Sequence, residues 1–177
     1  MSSISTISRH RWALPILAQL GVTGGSRFVP LAHQLGLSRD ALRQTLDALI
    51  AAKLVTRNPG YGHPTRPEYV LTEKGRRIAP ICASLLQEMR RRDIEDVALR
   101  KWSMPILAAL STESRYGELR RAVGATSRAL TLALKDLVAR GLVERHVHTG
   151  FPPSTTYRLA PKSRALRRQV ARLAGEL

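Results

Sequence analysis

The chain has 177 residues, 44% of them apolar and 24% charged, the composition of one ordinary globular domain or two small ones. Lys and Arg number 29 against 13 Asp and Glu, and the resulting +16 suits a polyanionic partner, nucleic acid ahead of an anionic membrane surface. No apolar run approaches the ~18 residues of a bilayer span, one cysteine excludes an internal disulfide framework, and no Ser/His/Asp, paired-carboxylate or phosphate-loop grouping argues for an enzyme or a cofactor.

Residues 1–8 lack the basic start and apolar stretch of a secretory signal and read as a short disordered arm, so the cytoplasm, with the nucleoid, is the expected location. The chain then repeats itself. Arg11-Trp-Ala-Leu-Pro-Ile-Leu-Ala-Gln-Leu20 recurs as Lys101-Trp-Ser-Met-Pro-Ile-Leu-Ala-Ala-Leu110, an offset of 90. After a two-residue indel the offset is 88. Ser26-Arg27-Phe28 meets Ser114-Arg115-Tyr116, the leucines 42, 46 and 49 meet those at 130, 134 and 137, and Tyr69 meets Tyr157. Two copies of one small domain follow, over residues 9–88 and 99–177, with 89–98 as a helical linker.

In each copy a first helix covers the Trp-x-x-Pro-Ile-Leu segment, where Pro15 or Pro105 fits only in the first turn. A second helix starts near Phe28 or Tyr116. A turn through Gly36 or Gly124 leads to Ser38 or Thr126, each able to cap a third helix, over 38–51 and 126–139. The leucine spacing puts one apolar face on that helix. Residues 53–57 and 68–72 then read as a β-hairpin, as do 141–145 and 156–159, and a last helix closes each copy. The sum is mainly α with small β-hairpin wings (α+β): two tandem winged helix-turn-helix domains joined by a helical linker.

The third helix of such a domain projects its solvent face into the major groove. At 100° per residue that face holds Arg128, Leu132 and Lys135 in copy two, with Thr131 and Asp136 at its flanks. In copy one it holds Asp40, Gln44 and Asp47, flanked by Arg39 and Arg43. The second copy is net basic and the first near neutral, so copy two is expected to be the stronger reader of DNA. Ser38, Thr126 and Ser127 sit where these helices begin, and Arg27 and Arg115, ahead of the second helix, are candidate phosphate contacts. The wings add His63 and Arg66 in one copy and Arg145, His146 and His148 in the other, placed for the backbone or minor groove. His146 and His148 alternate on a strand without a third ligand, so they read as wing histidines and not a metal site. Arg90-Arg91-Arg92 reads as the solvated face of a linker helix ahead of a DNA-backbone contact, and Trp12 and Trp102 as core residues under the first helix.

The motifs carry a resemblance. Copy two has Lys101-Trp102, Ile106-Leu107, Arg115-Tyr116, Leu130-Thr131, Gly141-Leu-Val-Glu-Arg145, Pro152-Pro153 and Tyr157-Arg-Leu159. Copy one has Arg11-Trp12, Arg27-Phe28 and Tyr69-Val-Leu-Thr-Glu-Lys-Gly75. Over almost the whole chain this resembles the HxlR family of bacterial transcription regulators, relatives of the MarR winged helices. The resemblance implies a sequence-specific regulator with double-stranded DNA as its partner. Such regulators usually hold one domain per chain and dimerise through terminal helices; here two copies would form that pair internally, with residues 76–100 as a connecting helix. A homodimer through terminal or linker helices and an unidentified small-molecule effector stay open as further partners. Some family members sense oxidants through a cysteine ahead of the first helix, whereas Cys82 lies after the first wing among Ile81, Leu85 and Leu86 and reads as a packing residue. Two rival readings keep the fold: a protein-interaction adaptor, which the near-neutral face of copy one suits and +16 does not, and a plasmid-type replication initiator, which is usually longer and differs in motif.

Overall fold

Helix, short strand, helix, left-handed glycine and helix occur twice along the chain in the computed structural model, which describes residues 3–58, 67–151 and 153–177. Copy one comprises α1 (Ser3–Ser8), α2 (Ala13–Thr23), β1 (Ser26–Arg27), α3 (Phe28–Leu35), α4 (Arg39–Ala51), β2 (Val55–Asn58), β3 (Glu68–Leu71) and α5 (Glu73–Arg91). Copy two comprises α6 (Glu95–Ala98), α7 (Ser103–Ala109), β4 (Ser114–Arg115), α8 (Tyr116–Val123), α9 (Ser127–Ala139), β5 (Val143–His148), β6 (Ser154–Leu159) and α10 (Arg164–Glu176). Both are winged helix-turn-helix units.

Pro15 and Pro105 occupy the third position of α2 and α7, inside the first turn, where the missing N–H has no intrahelical acceptor to lose. Gly36 and Gly124 take φ of 62° and 69°, the left-handed conformation that turns the chain between the second and third helices. On α4 the buried positions are Leu42, Thr45, Leu46 and Leu49, and on α9 they are Leu130, Leu134 and Leu137. Each buried leucine contributes about 1.5–3 kcal/mol. The wings are antiparallel, in register Val55↔Leu71 and Val143↔Leu159. Each hairpin gains a two-residue third strand, β1 or β4, giving the orders β1-β3-β2 and β4-β6-β5. Two residues are too few for a periodic signal, so the sequence does not announce these strands. The second wing also runs further than expected, to His148 and from Ser154. Gly75 is required by packing: a Cβ there would strike the Leu54 carbonyl.

The copies join through α5 and α10, which pack together and run antiparallel. Lys74, at the start of α5, donates to the Leu177 carbonyl beyond the end of α10, while Arg92, beyond the end of α5, donates to the Lys162 carbonyl just ahead of α10. Ile78, Cys82 and Leu85 of α5 and their counterparts at offset 88, Leu166, Val170 and Leu173 of α10, are all buried. Buried side chains from both copies form one continuous core.

Three expectations change. Residues 3–8 are helix rather than a disordered arm: Ile4 and Ile7 are 1% and 2% exposed, and α1 packs on α7 and α10 of copy two as well as on α2. The reason is an apolar pair three residues apart, enough to dock one helical turn. Ile94 and Val97 stand at offset 90 from that pair and are buried too, so the repeat starts at Ile4. The connecting helix over 76–100 is broken, because Asp93 adopts φ 52° between α5 and α6. Trp12 and Trp102 are half-buried at the starts of α2 and α7, with the charged groups of Arg11 and Lys101 at 5.2 and 4.8 Å from their ring centres. Cys82 is fully buried, as expected, and burial pushes its thiol up to about 12, which leaves it protonated and inert at neutral pH.

Candidate nucleic-acid interface

Both third helices are capped as the sequence predicts. Ser38 Oγ accepts from the Ala41 N–H and Thr126 Oγ1 from the Ala129 N–H, each at 3.3 Å. These two candidate contact residues are thus exposed hydroxyls already engaged in setting the helix start.

Around α9 the candidates are brought together. Tyr116 OH donates to the Ser127 carbonyl at 2.8 Å and lies 3.1 Å from Thr131 Oγ1, and Arg120 donates to Ser127 Oγ at 3.1 Å. Ser127 and Thr131 are therefore positioned by α8. Arg128, Leu132 (54% exposed) and Lys135 point to solvent, and neither cation has an acidic partner among the described residues. Asp136 is taken out of the face by an ion pair with Arg100. What remains is a basic stripe on a helix locked against its neighbour.

On α4 the face is mixed. Arg39, Asp40, Arg43, Gln44 and Asp47 are all exposed, and alternating signs on one surface leave little net potential. Phe28 stands where copy two has Tyr116; its ring lies 6.4 Å from Tyr69 and supplies no hydroxyl to α4. Arg27 and Arg115 are exposed on β1 and β4, opposite Glu68 and Thr156. The Arg115 N–H donates to Glu118 Oε2 at 2.8 Å, which fixes the first turn of α8.

In the second wing Arg145 is exposed beside Tyr157 in the register, whereas His148 is engaged. Its Nε2 lies 2.7 Å from Thr156 Oγ1 and 3.5 Å from Glu113 Oε1. His146 Nε2 is 3.6 Å from Glu144, too far for a hydrogen bond, and Glu144 accepts from Arg158 at 2.7 Å. The Thr156 hydroxyl, with help from His148, holds the Glu113 carboxyl below the usual glutamate range, and Arg158 does the same for Glu144. The described residues contain no cluster of three metal-ligating side chains. His63 and Arg66 lie outside the described residues.

Arg90 meets Glu95, while Arg91 and Arg92 share Glu88, so every arginine of the run has a carboxylate partner nearby. Two residues escaped the sequence reading. Arg120 matters through its bond to Ser127, which no spacing reveals. Phe151 is fully exposed at the tip of the second wing; the available signal was an aromatic between Gly150 and two prolines, with nothing local to pack on.

The family model for the HxlR-like helix-turn-helix matches residues 7–94 and again residues 97–175. An HTH-type transcriptional regulator from Mycobacterium tuberculosis is 39% identical over 78 residues, covering 44% of this chain and 49% of that protein. Another from Halalkalibacterium halodurans is 38% identical over 69 residues, covering 37% and 61%. The chain thus spans about half to three fifths of these relatives' length. Among solved structures, a MarR-family transcriptional regulator from Porphyromonas gingivalis covers 50% of this chain and 89% of its own, at 27% identity and a TM-score of 0.45. The redox regulator HypR in its oxidised form covers 49% and 91%, at 31% identity and the same TM-score of 0.45. The two family matches between them take in nearly all of the sequence: the chain belongs to the HxlR-like helix-turn-helix family and carries its domain twice in tandem.

Proposed function

We propose that the protein is a sequence-specific, double-stranded DNA-binding transcription regulator, with α4 and α9 in major grooves and the wings along the backbone or minor groove. The observation that carries this reading is α9: a capped, exposed recognition helix bearing Arg128 and Lys135 without acidic partners, its one neighbouring carboxylate tied to Arg100. Helix-turn-helix regulators among its relatives and the +16 charge support the same conclusion.

Arg and Lys neutralise phosphates and release counterions, which supplies most of the affinity and makes it steeply salt-dependent. Arg128 can fork onto a guanine edge, and Lys135 and Thr131 flank it on the groove side. Because α5 and α10 hold both copies in one core, a single chain presents two reading helices, suited to half-sites about 10–10.5 bp apart or a multiple of that. Such a protein works with the nucleoid in the cytoplasm, and no helix of the described residues is long and apolar enough to cross a membrane.

The test is a gel-shift titration against the gene's own upstream intergenic DNA and a scrambled control, at about 50 and 200 mM salt. Selective binding that survives the higher salt is expected. Equal binding to both DNAs that vanishes with salt would overturn the reading and favour a protein partner.

A further inference from the structure

One groove is built twice and lined differently each time. In copy one, α2, β3 and α5 border an open groove of about 410 Å³ with Val70, Ala79 and Pro80 in its wall and Arg76 as its charged residue. Copy two has the matching groove, about 480 Å³, between the end of α7, β6 and α10. At offset 88, Val70 is replaced by Arg158, Ala79 by Arg167 and Pro80 by Arg168, while Arg76 is matched by Arg164. Four guanidinium groups line a space where copy one has one.

Their charge is not balanced from within. Arg158 is paired with Glu144, and Glu113, the carboxylate in the wall, is committed to Thr156 and His148. Arg164, Arg167 and Arg168 meet no carboxylate among the described residues, and Arg167 Nε is buried with no hydrogen-bond partner. Leaving a buried donor unmet is costly, more so for a charged group. Several arginines elsewhere are paired: Arg90, Arg91, Arg92, Arg100 and Arg140 each face Asp or Glu. Arg164 opens α10, where the helix dipole adds positive potential, and Arg167 and Arg168 follow one turn on.

We infer that this groove binds a small multivalent anion, its carboxylate or phosphate oxygens held by Arg164, Arg167 and Arg168. Guanidinium forks take either oxygen pair bidentately. Leu159 in the same wall, backed by the buried Leu110, can cover a short carbon skeleton, and the volume is that of a small-molecule site. A DNA backbone fits less well, because Arg158 lies at the base of the wing and the tip beyond Ser154 is at the opposite end of β6. The groove borders α10, which packs on α5, α7 and α1 and so sets how the two reading helices are spaced. That consequence rests on the proposed regulator function; the anion site itself does not.

Isothermal titration of the full chain with citrate and with inorganic phosphate, at constant ionic strength, tests the site. One anion per chain is expected, with R167Q and R168Q each weakening it about tenfold or more at an unchanged melting temperature. Arg76→Gln, in the copy-one groove, should leave it intact. Citrate alone binding identifies a carboxylate ligand, and phosphate alone a phosphorylated one; either supports the site. No binding of either, or binding that survives both R167Q and R168Q, overturns it. So does the outcome in which no anion binds and R167Q weakens DNA binding as much as R128A, since the arginines then serve the DNA backbone. Anion binding lost in R168Q alongside a failed gel shift keeps the site and overturns the regulator reading alone.

Discussion

Tyr116 ties α8 to α9 through Ser127 and Thr131, whereas at the matching place in copy one Phe28 turns its ring to Tyr69 and bonds nothing on α4. The α9 face is basic with its carboxylate neutralised by Arg100, and the α4 face mixes Arg39 and Arg43 with Asp40 and Asp47. The groove beside α10 holds four arginines where the one beside α5 holds Arg76. Yet Leu42, Leu46 and Leu49 are buried as their partners Leu130, Leu134 and Leu137 are. The buried positions of the repeat stayed interchangeable because packing tolerates little change in volume, while the solvent positions were free to diverge. The copies therefore share one topology and differ chiefly in the chemistry of their surfaces.

The largest expected effect tests what the copies share. Leu46→Ala and Leu134→Ala should each cost about 2–5 kcal/mol, and each should lower one common thermal transition, since a single core runs through both copies. Two separate transitions in calorimetry would show that the copies fold independently. Next comes the asymmetry itself. Replacing Arg128 and Lys135 by Ala should weaken DNA binding by about 1–3 kcal/mol for each lost base contact, clearly more than replacing Arg39 and Arg43, as read by fluorescence anisotropy. Equal losses would remove the dominance of copy two.

Gly36→Ala and Gly124→Ala should cost the same, about 1–2 kcal/mol each, because both sit at positive φ in open space and strain is all that changes. Unequal losses in chemical denaturation would mean the two turns differ. Tyr116→Phe should cost about 1 kcal/mol and move copy two toward copy one. Smallest is a pH effect that separates the two wings. The Glu113 and Glu144 carboxyls are held below the usual range, by Thr156 and by Arg158, so their contribution is present above that range and lost as pH falls through the lowered values. The first wing has no ion pair among its described residues. Amide exchange should therefore quicken in the second wing first on acidification; simultaneous opening would contradict the assignment.

Much of this was legible in the sequence because it is periodic or local. The offset between copies, the leucine faces, the Ser38 and Thr126 caps and the left-handed glycines are all readable within a few residues. The N-terminal helix was readable too, through Ile4 and Ile7 at offset 90 from Ile94 and Val97, but a polar setting of four serines and a threonine masks that pair. What depends on contacts distant in sequence was not legible: the pairing of Asp136 with Arg100, the hold of Tyr116 on α9, and the meeting of Arg158 with α10 in one groove. The paired arginine run at 90–92 shows the same limit, since charge counts do not reveal who is paired.

On the proposed function, one chain reads DNA with two unlike helices. Hydroxyl-radical footprinting of the bound intergenic DNA, with stoichiometry from analytical ultracentrifugation, tests it most directly. One chain per site is expected, with an asymmetric footprint of two protected stretches about one helical turn, or a multiple, apart, the stronger lost in R128A. A two-fold symmetric footprint with two chains per site would contradict it.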